Sequence, residues 1–272
     1  MLNCSVLKWR MTDPFRIIEP TVISFSGGRT SAYLLWRVLQ SNNGLPNDAI
    51  VCFANTGKEE EATLQFVRDC ENNWGVPIHW LEYQAEKPYF KCVTFETASR
   101  NGEPFAALIK KRKYLPNGVA RFCTTELKVL AIDRHMKSLG INEYPTMVGI
   151  RADEPRRVAK MRLNKDEKLT PLATAKVTEG IVWDFWNNHS FDLSLAKASG
   201  ASNCDLCFLK GGKILQGLIQ QKPERALWWA QMEKNIGGTF SKDRPNYQTL
   251  YDFSQSQMNL FDDESIPCFC GD

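Results

Sequence analysis

Hydrophobic and polar positions along the first part of the chain predict strands that alternate with helices. Apolar, β-branched runs of strand length lie at 21–25, 49–55, 78–83 and 146–150. Helical periodicity follows at 31–40, at 59–74 and from about Thr124 to Leu139. This alternation predicts parallel βαβ units, and in such sheets ligands bind at the carboxyl ends of the strands.

The second half of the chain has a different character. After residue 170 it reads mostly as helix, is rich in tryptophan and carries the cysteines Cys204, Cys207, Cys268 and Cys270. We therefore expect an α/β domain over residues 1–170, with a parallel twisted sheet flanked by helices. A mostly helical, cysteine-bearing part is expected over 171–272. Residues 84–121 show neither period and are expected to be irregular.

Composition and charge exclude several classes of protein. The chain has 272 residues, of which 43% are hydrophobic and 24% charged, as in globular proteins. Its net charge of +3 is too small for a general polycation, so any nucleic-acid contact must come from a local patch. No segment resembles a signal peptide or a membrane span. We expect a cytoplasmic protein without membrane association, whose nine cysteines are thiols, metal ligands or catalytic groups.

The junction between the first strand and the first helix has the chemistry of a phosphate site. A glycine-containing loop there directs backbone N–H groups and the helix dipole at an anion, and glycine lets the backbone approach phosphate oxygens. A tight turn with a hydroxyl N-cap would use similar residues. The coincidence of strand, two glycines, hydroxyls and helix favours the phosphate site. Its candidate residues are Ser26, Gly27, Gly28, Arg29, Thr30 and Ser31.

This loop resembles the PP-loop of the adenine nucleotide alpha hydrolase superfamily. Further segments resemble the phosphoadenosine phosphosulfate (PAPS) reductase branch of that superfamily: FANTGKEEEATLQFV, RFCTTELK, GIRADEPRR and NCDLCFLKGGKILQGLI. The chain is also similar to phage and bacterial proteins of this branch and to the ATP pyrophosphatase of DNA phosphorothioation systems. The resemblance implies a Rossmann-like fold that binds the phosphates of an adenine nucleotide, with Asn55, Thr56 and Gly57 near the base. Many members have an aspartate where this chain has Thr30, which puts in doubt how the Mg²⁺ of ATP is held.

Basic residues follow the strand predicted at 146–150. Arg151, Arg156 and Arg157 suit bidentate contacts to phosphates or to an anionic substrate, although a solvated charged loop has the same composition. Lys128 resembles a lysine with this role in the family. We take Lys128, Arg151 and Asp153 as candidate catalytic residues.

A second basic run has two interpretations. Residues 110–113 read Lys-Lys-Arg-Lys. They suit a salt-sensitive nucleic-acid contact and equally a solvated helix face.

The cysteines suggest a metal centre. Cys204 and Cys207 form a C-x-x-C motif, Cys268 and Cys270 form a C-x-C motif, and Cys123 resembles a cluster ligand of iron–sulfur sulfate reductases. Four thiolates suit either a 4Fe–4S cluster or structural zinc. The resemblance favours the cluster, with Cys123 as one ligand. A terminal thiol that binds no metal, such as Cys270, would be a candidate nucleophile or sulfur carrier.

Three functions are compatible with these features. In the first, the protein cleaves ATP with Mg²⁺ and adenylates an acceptor, DNA or tRNA, for sulfur insertion, with sulfur from a donor such as a cysteine desulfurase. In the second, it reduces PAPS or adenosine phosphosulfate to sulfite with thioredoxin. In the third, it is a zinc-containing nucleotide-binding subunit without catalysis. The intact Ser-Gly-Gly loop, and a C-terminus without the Glu-Cys-Gly-Leu-His tail of the reductases, favour the first.

Overall fold

The centre of the molecule is a sheet with six strands among the described residues. The structure is a computed structural model and describes residues 13–163, 168–196 and 203–256. In chain order the strands are β1 (Thr21–Phe25), β2 (Ala49–Asn55), β3 (Ile78–Glu82), β4 (Lys91–Val93), β5 (Thr146–Val148) and β6 (Lys168–Leu169). Their spatial order is β4-β3-β2-β1-β5-β6, and only the β3–β4 pair is antiparallel. This confirms the predicted α/β, Rossmann-like fold.

Helices pack on both faces of the sheet. On one face Ile23 and Phe53 lie in the main apolar cluster, together with residues of the first two helices. On the other face Val22 and Cys52 pack against Ile132. The helices are α1 (Arg29–Asn42), α2 (Glu61–Trp74), α3 (Glu103–Arg112), α4 (Phe122–Thr124), α5 (Leu130–Ser138), α6 (Pro155–Arg162), α7 (Pro171–Thr174), α8 (Glu179–Asn187), α9 (Gly212–Gln221), α10 (Arg225–Ile236) and α11 (Tyr247–Ser256).

The structure corrects two predicted elements. Residues 84–121 are not irregular throughout, because β4 and α3 lie within them. The helix α3 starts at a Glu-Pro pair and buries Phe105, Leu108 and Ile109, a helical spacing that the flanking loops obscure in the sequence. The helix predicted from Thr124 is also not continuous, since a π-helical segment, Thr125–Val129, joins α4 to α5.

A second apolar cluster connects α3 to the C-terminal helices. Phe105 and Ile109 pack with Leu215 of α9, Trp229 of α10 and Leu250 of α11. Tight aromatic contacts, such as that between Trp229 and Tyr247, hold these helices together. The domain division at residue 170 stays a prediction. No helix in the described ranges is long and apolar enough to span a membrane.

Arg29, the first residue of α1, anchors the segment that follows α8. Its guanidinium makes two hydrogen bonds of 2.8 Å to the carboxylate of Asp192 and donates to the carbonyl oxygens of Leu193 and Leu195. It also lies 4.2 Å from the ring centroid of Trp183. A planar, bidentate pair of this kind fixes both position and orientation.

We predict that Asp192→Ala lowers the free energy of unfolding by about 1–3 kcal/mol, because it leaves the buried Arg29 charge without its carboxylate. The Asp192 side chain is 34% exposed, so solvent screening keeps the loss below that of a fully buried pair. Urea unfolding of the full chain measures the change. Asp184→Ala removes an exposed carboxylate of α8 and is the control; equal losses in the two variants would contradict the anchor.

Candidate functional site

The loop between β1 and α1 is open to an anion at the start of the helix. Gly28 is the N-cap residue, and no side chain from the described residues caps this end of α1. Gly27 has a φ of +78°, and a Cβ there would lie 2.6 Å from Thr63 Cγ2, so both backbone and packing require glycine. The uncapped N–H groups and the helix dipole therefore favour a bound anion.

Two serines hold the shape of this loop. Ser31 Oγ donates to the carbonyl oxygen of Gly28 at 2.9 Å and accepts from the Ser26 N–H at 3.2 Å. The two serine hydroxyl oxygens lie 2.9 Å apart. The predicted hydroxyls thus lie together at the loop, where Ser26 is exposed and Ser31 is buried. The side chain of Arg29 points instead to Asp192, so that Arg29 offers a phosphate only its backbone.

The loop after β5 brings Arg151 to the phosphate loop. Arg151 Nη1 donates to Thr30 Oγ1 at 3.1 Å, and Arg151 Nε donates to Asp153 Oδ1 at 3.0 Å. Asp153 Oδ2 also accepts the Glu179 N–H at 2.8 Å. Burial opposes the charge of Asp153, but these hydrogen bonds outweigh it and hold its pKa below the usual value. A lowered pKa makes Asp153 an orienting carboxylate and a weak base.

The other two arginines of this region do not join the loop. Arg157 forms an ion pair with Glu154. Arg156 is exposed and has no ion-pair partner among the described residues. Of the three predicted arginines, the structure therefore places only Arg151 in contact with a residue of the phosphate loop.

The polar residues at the end of β2 form a buried network. Asn55 Nδ2 donates to Glu82 Oε1 at 2.6 Å, and its Oδ1 accepts the Gly57 N–H at 3.0 Å. Thr56 donates to Glu59 Oε2 through both its N–H and its hydroxyl, each at 2.8 Å. The side chains predicted to lie near a base are thus engaged within the protein, and they support the floor of the site.

Glu59 is a buried acid that the sequence analysis missed. Its side chain is 0% exposed and lies 3.3 Å from Lys128 Nζ. Lys128 belongs to the π-helical segment, where one extra residue per turn changes the direction of a side chain; such segments are frequent at functional sites. The pair brings Lys128 to the carboxyl end of β2, the edge at which the phosphate loop also lies. The only sequence signal was the acidic run Glu59-Glu60-Glu61 after Thr56-Gly57.

Asn203 is a second residue that the sequence analysis missed. It is 7% exposed, and its Nδ2 donates to the carbonyl oxygen of Ser26 at 2.6 Å. Its Oδ1 has no hydrogen-bond partner among the described residues. A Cβ on Gly28 would lie 3.1 Å from that oxygen, so the carboxamide covers the loop directly. Its position next to the C-x-x-C motif was the one sequence signal.

The described cysteines do not by themselves form a metal site. Cys204 Sγ lies 4.0 Å from Glu59 Oε1, whereas Cys207 is buried, with 7% of the residue exposed. Burial raises the pKa of Cys123, against the opposing charge of Lys128. In the part of the chain that the structure describes, no three histidine, cysteine or carboxylate side chains are grouped to hold a metal ion. Cys268 and Cys270 lie outside the described residues, so iron–sulfur and zinc ligation both stay predictions.

Comparison with known sequences finds relatives of this chain, although no family profile matches it. It is 30% identical over 198 residues to an uncharacterized nin region protein, ORF290, of Escherichia phage lambda, covering 70% of this chain and 66% of that protein. It is 27% identical over 152 residues to the uncharacterized protein MJ0066 of Methanocaldococcus jannaschii, covering 56% of this chain and 27% of that protein. The chain thus matches only part of the length of each relative.

Two solved structures are also similar at 14% identity. The PAPS reductase of Candida auris, in its phosphate complex, has a TM-score of 0.46 over 74% of this chain and 85% of that chain. The U34-tRNA thiolase NcsA of Methanococcus maripaludis, with its 4Fe–4S cluster, has a TM-score of 0.41 over 94% of this chain and 77% of that chain. The chain is thus a sequence relative of the phage lambda protein, and its loop sequence resembles the PAPS reductase-like branch of the PP-loop superfamily.

Proposed function

We propose that this protein binds ATP at the phosphate loop, cleaves it between the α- and β-phosphates, and adenylates an acceptor for sulfur insertion. The observation that carries the proposal is the uncapped start of α1, whose loop is braced by the two serines and contacted by Arg151 through Thr30. Backbone N–H groups and a guanidinium at one point suit the two terminal phosphates of ATP, which leave as pyrophosphate.

The reaction needs stabilisation of the leaving group. An acceptor oxygen attacks the α-phosphorus, the bond to the bridging oxygen breaks, and pyrophosphate leaves with the bonding electrons while the acceptor proton passes to water. Donors aimed at the charge that develops on pyrophosphate lower this barrier. We assign that role to the N–H groups of residues 27–30 and the guanidinium of Arg151, and Lys128, which pairs with Glu59, lies at the same sheet edge. Mg²⁺ would come with the nucleotide and neutralise part of the phosphate charge.

Sulfur insertion is the second step of the proposal. The terminal sulfur of a persulfide on a donor protein attacks the activated atom, carbon in a base or phosphorus in the backbone, and AMP leaves with the electrons of the bond between that atom and oxygen. A thiol then reduces the remaining sulfur–sulfur bond. A nucleic acid is the proposed acceptor. Cys270, predicted as a sulfur carrier, lies outside the described residues.

Product analysis separates this proposal from its alternatives. The full-length protein, purified without oxygen, is incubated with ATP and acceptor RNA or DNA, and in parallel with PAPS and thioredoxin. We expect pyrophosphate from ATP and no sulfite from PAPS. Sulfite without pyrophosphate would make the protein a phosphosulfate reductase. The absence of both products would favour a nucleotide-binding subunit without catalysis.

We predict that Arg151→Ala lowers kcat/KM for pyrophosphate release about 100-fold, because a charged donor to the developing pyrophosphate is lost. Arg157→Ala is the matched control, since it removes the same charge from the same region but from a side chain paired with Glu154. It should change kcat/KM by less than about threefold. Similar losses in both variants would show a general effect of charge and contradict the assigned role.

We also predict that Asn203→Asp binds ATP about tenfold more weakly than Asn203→Ala. Both variants lose the hydrogen bond to the Ser26 carbonyl, but only the aspartate places a negative charge against Gly28, where a phosphate would lie. Calorimetric titration with ATP and with adenosine measures the difference, and adenosine should bind the two variants alike. Equal ATP affinity of the two variants would mean that no phosphate lies beside Asn203.

A further inference from the structure

The end of α3 carries a run of exposed basic residues that the proposed reaction does not use. All four residues of 110–113 are exposed. The side chains of Lys110 and Lys113 have no hydrogen-bond or ion-pair partner among the described residues, whereas Arg112 pairs with Glu126. Lys113 has a φ of +59°, a conformation that glycine usually supplies at the end of a helix.

Two clefts flank this end of α3, and Lys110 and Lys113 line both. One cleft, of about 620 Å³, lies between α3 and the chain that follows β3. The other, of about 590 Å³, lies between α3 and α10. Each volume is in the range of sites that bind small ligands and is large enough for a nucleotide unit. Lys110 and Lys113 therefore lie between two clefts, which consecutive nucleotides of one chain would occupy.

The walls of the first cleft carry groups that can form hydrogen bonds with a base. Tyr83 is 3% exposed, and its hydroxyl has no hydrogen-bond partner among the described residues. Gln84 and Ser99 add polar groups to the same wall. Carboxylates are also present: Glu86 and Glu103 line the cleft.

The polar groups next to Lys110 and Lys113 have partners of their own. Glu103 accepts hydrogen bonds from Asn101, at the start of its own helix. Lys91, another lining residue, is paired with the buried Glu82. Lys110 and Lys113 are therefore left as charges for a ligand.

The first cleft adjoins the proposed nucleotide site. Ser99, in its wall, accepts a hydrogen bond of 2.9 Å from Asn55 Nδ2 at the end of β2. On the other side of the basic run, the Tyr114 ring packs on Phe122 with a centroid distance of 4.7 Å, one residue before Cys123. Tyr114 is 43% exposed and can stack on an unpaired base. A single-stranded nucleic acid along this surface would pass next to the segment that carries Lys128.

We propose that the end of α3, with its two clefts, binds a single-stranded nucleic acid and presents it to the phosphate loop. Lys110 and Lys113 contact its phosphates, the cleft lined by Tyr83 holds a base, and Tyr114 stacks on a neighbouring base. This gives the nucleic-acid acceptor of the proposed adenylation its binding surface and its single-stranded form, and it rests on that proposed function. RNA and DNA share this chemistry, and the two are compared directly in the test.

The test uses the full-length protein and fluorescence anisotropy with short labelled single-stranded RNA, single-stranded DNA and duplex DNA. The variant Lys110→Gln with Lys113→Gln removes the two charges. Lys222→Gln with Lys242→Gln is the matched control, because both lysines are exposed and line neither cleft. Thermal unfolding checks that all proteins are folded, and ATP binding is titrated on the same preparations.

We expect the first variant to bind single strands about tenfold more weakly than the wild type, with unchanged ATP affinity. The slope of log K against log salt should become shallower by about 1.4, since each lost phosphate contact removes about 0.7. The control should match the wild type. A control that weakens as much as the variant, or a preference of the wild type for duplex, would overturn the proposal.

The same data separate this proposal from the function it extends. If the wild type binds ATP but neither single-stranded RNA nor single-stranded DNA, the proposed nucleic-acid surface is wrong and the proposed nucleotide reaction is not affected. A wild type that binds a single strand through Lys110 and Lys113 but does not bind ATP would support the surface and contradict the reaction.

Discussion

The antiparallel contact between residues 58–60 and 203–205 connects two distant parts of the chain at the phosphate loop, and the candidate site depends on it. The Glu60 N–H donates to the Asn203 carbonyl, and the Asp205 N–H donates to the Lys58 carbonyl, each at 2.8 Å. A buried ion pair of 2.9 Å between Lys58 and Asp205 reinforces the contact, and Trp229 Nε1 donates to the same aspartate. A buried pair is stable only when such additional hydrogen bonds satisfy it. As a result, Asn203 is held against Gly28 and Cys204 is held beside Glu59.

This arrangement divides the polar residues of the site into two groups. Asn55, Thr56 and Glu59 are buried, and Asn55 bonds to Glu82 while Thr56 bonds to Glu59, so they fix the sheet edge and offer little to a ligand. The backbone of residues 27–30, together with Arg151, faces the place where an anion would lie. The proposed phosphate binding therefore depends on backbone donors and one guanidinium, which suit a phosphate of any nucleotide. Discrimination between ATP and PAPS must therefore come from contacts between the protein and the parts of the two substrates that differ.

The sequence predicts the fold and the strand–loop–helix junction after β1 well, because both have strong local signals. The strands β1 and β2 match their apolar runs, and the Ser-Gly-Gly junction can be recognised in six residues. The helix α3 was missed because its three buried positions lie in a short segment surrounded by polar and basic residues. Glu59 and Asn203 were missed for another reason: Glu59 pairs with Lys128 across 69 residues and Asn203 bonds to Ser26 across 177 residues, which no local pattern encodes. The orientation of the Arg29 side chain toward Asp192 likewise depends on a tertiary contact that no local pattern encodes.

The central claim is that residues 26–30 hold the terminal phosphates of ATP, and competition with inorganic pyrophosphate tests it most directly. A fluorescent ATP analogue is bound to the full-length protein, and pyrophosphate, adenosine and AMP are titrated separately. The account predicts that pyrophosphate displaces the analogue competitively and more effectively than adenosine does. Complete displacement by adenosine with no effect of pyrophosphate would contradict it, because the nucleotide would then be held by its base and sugar, with the phosphate loop empty.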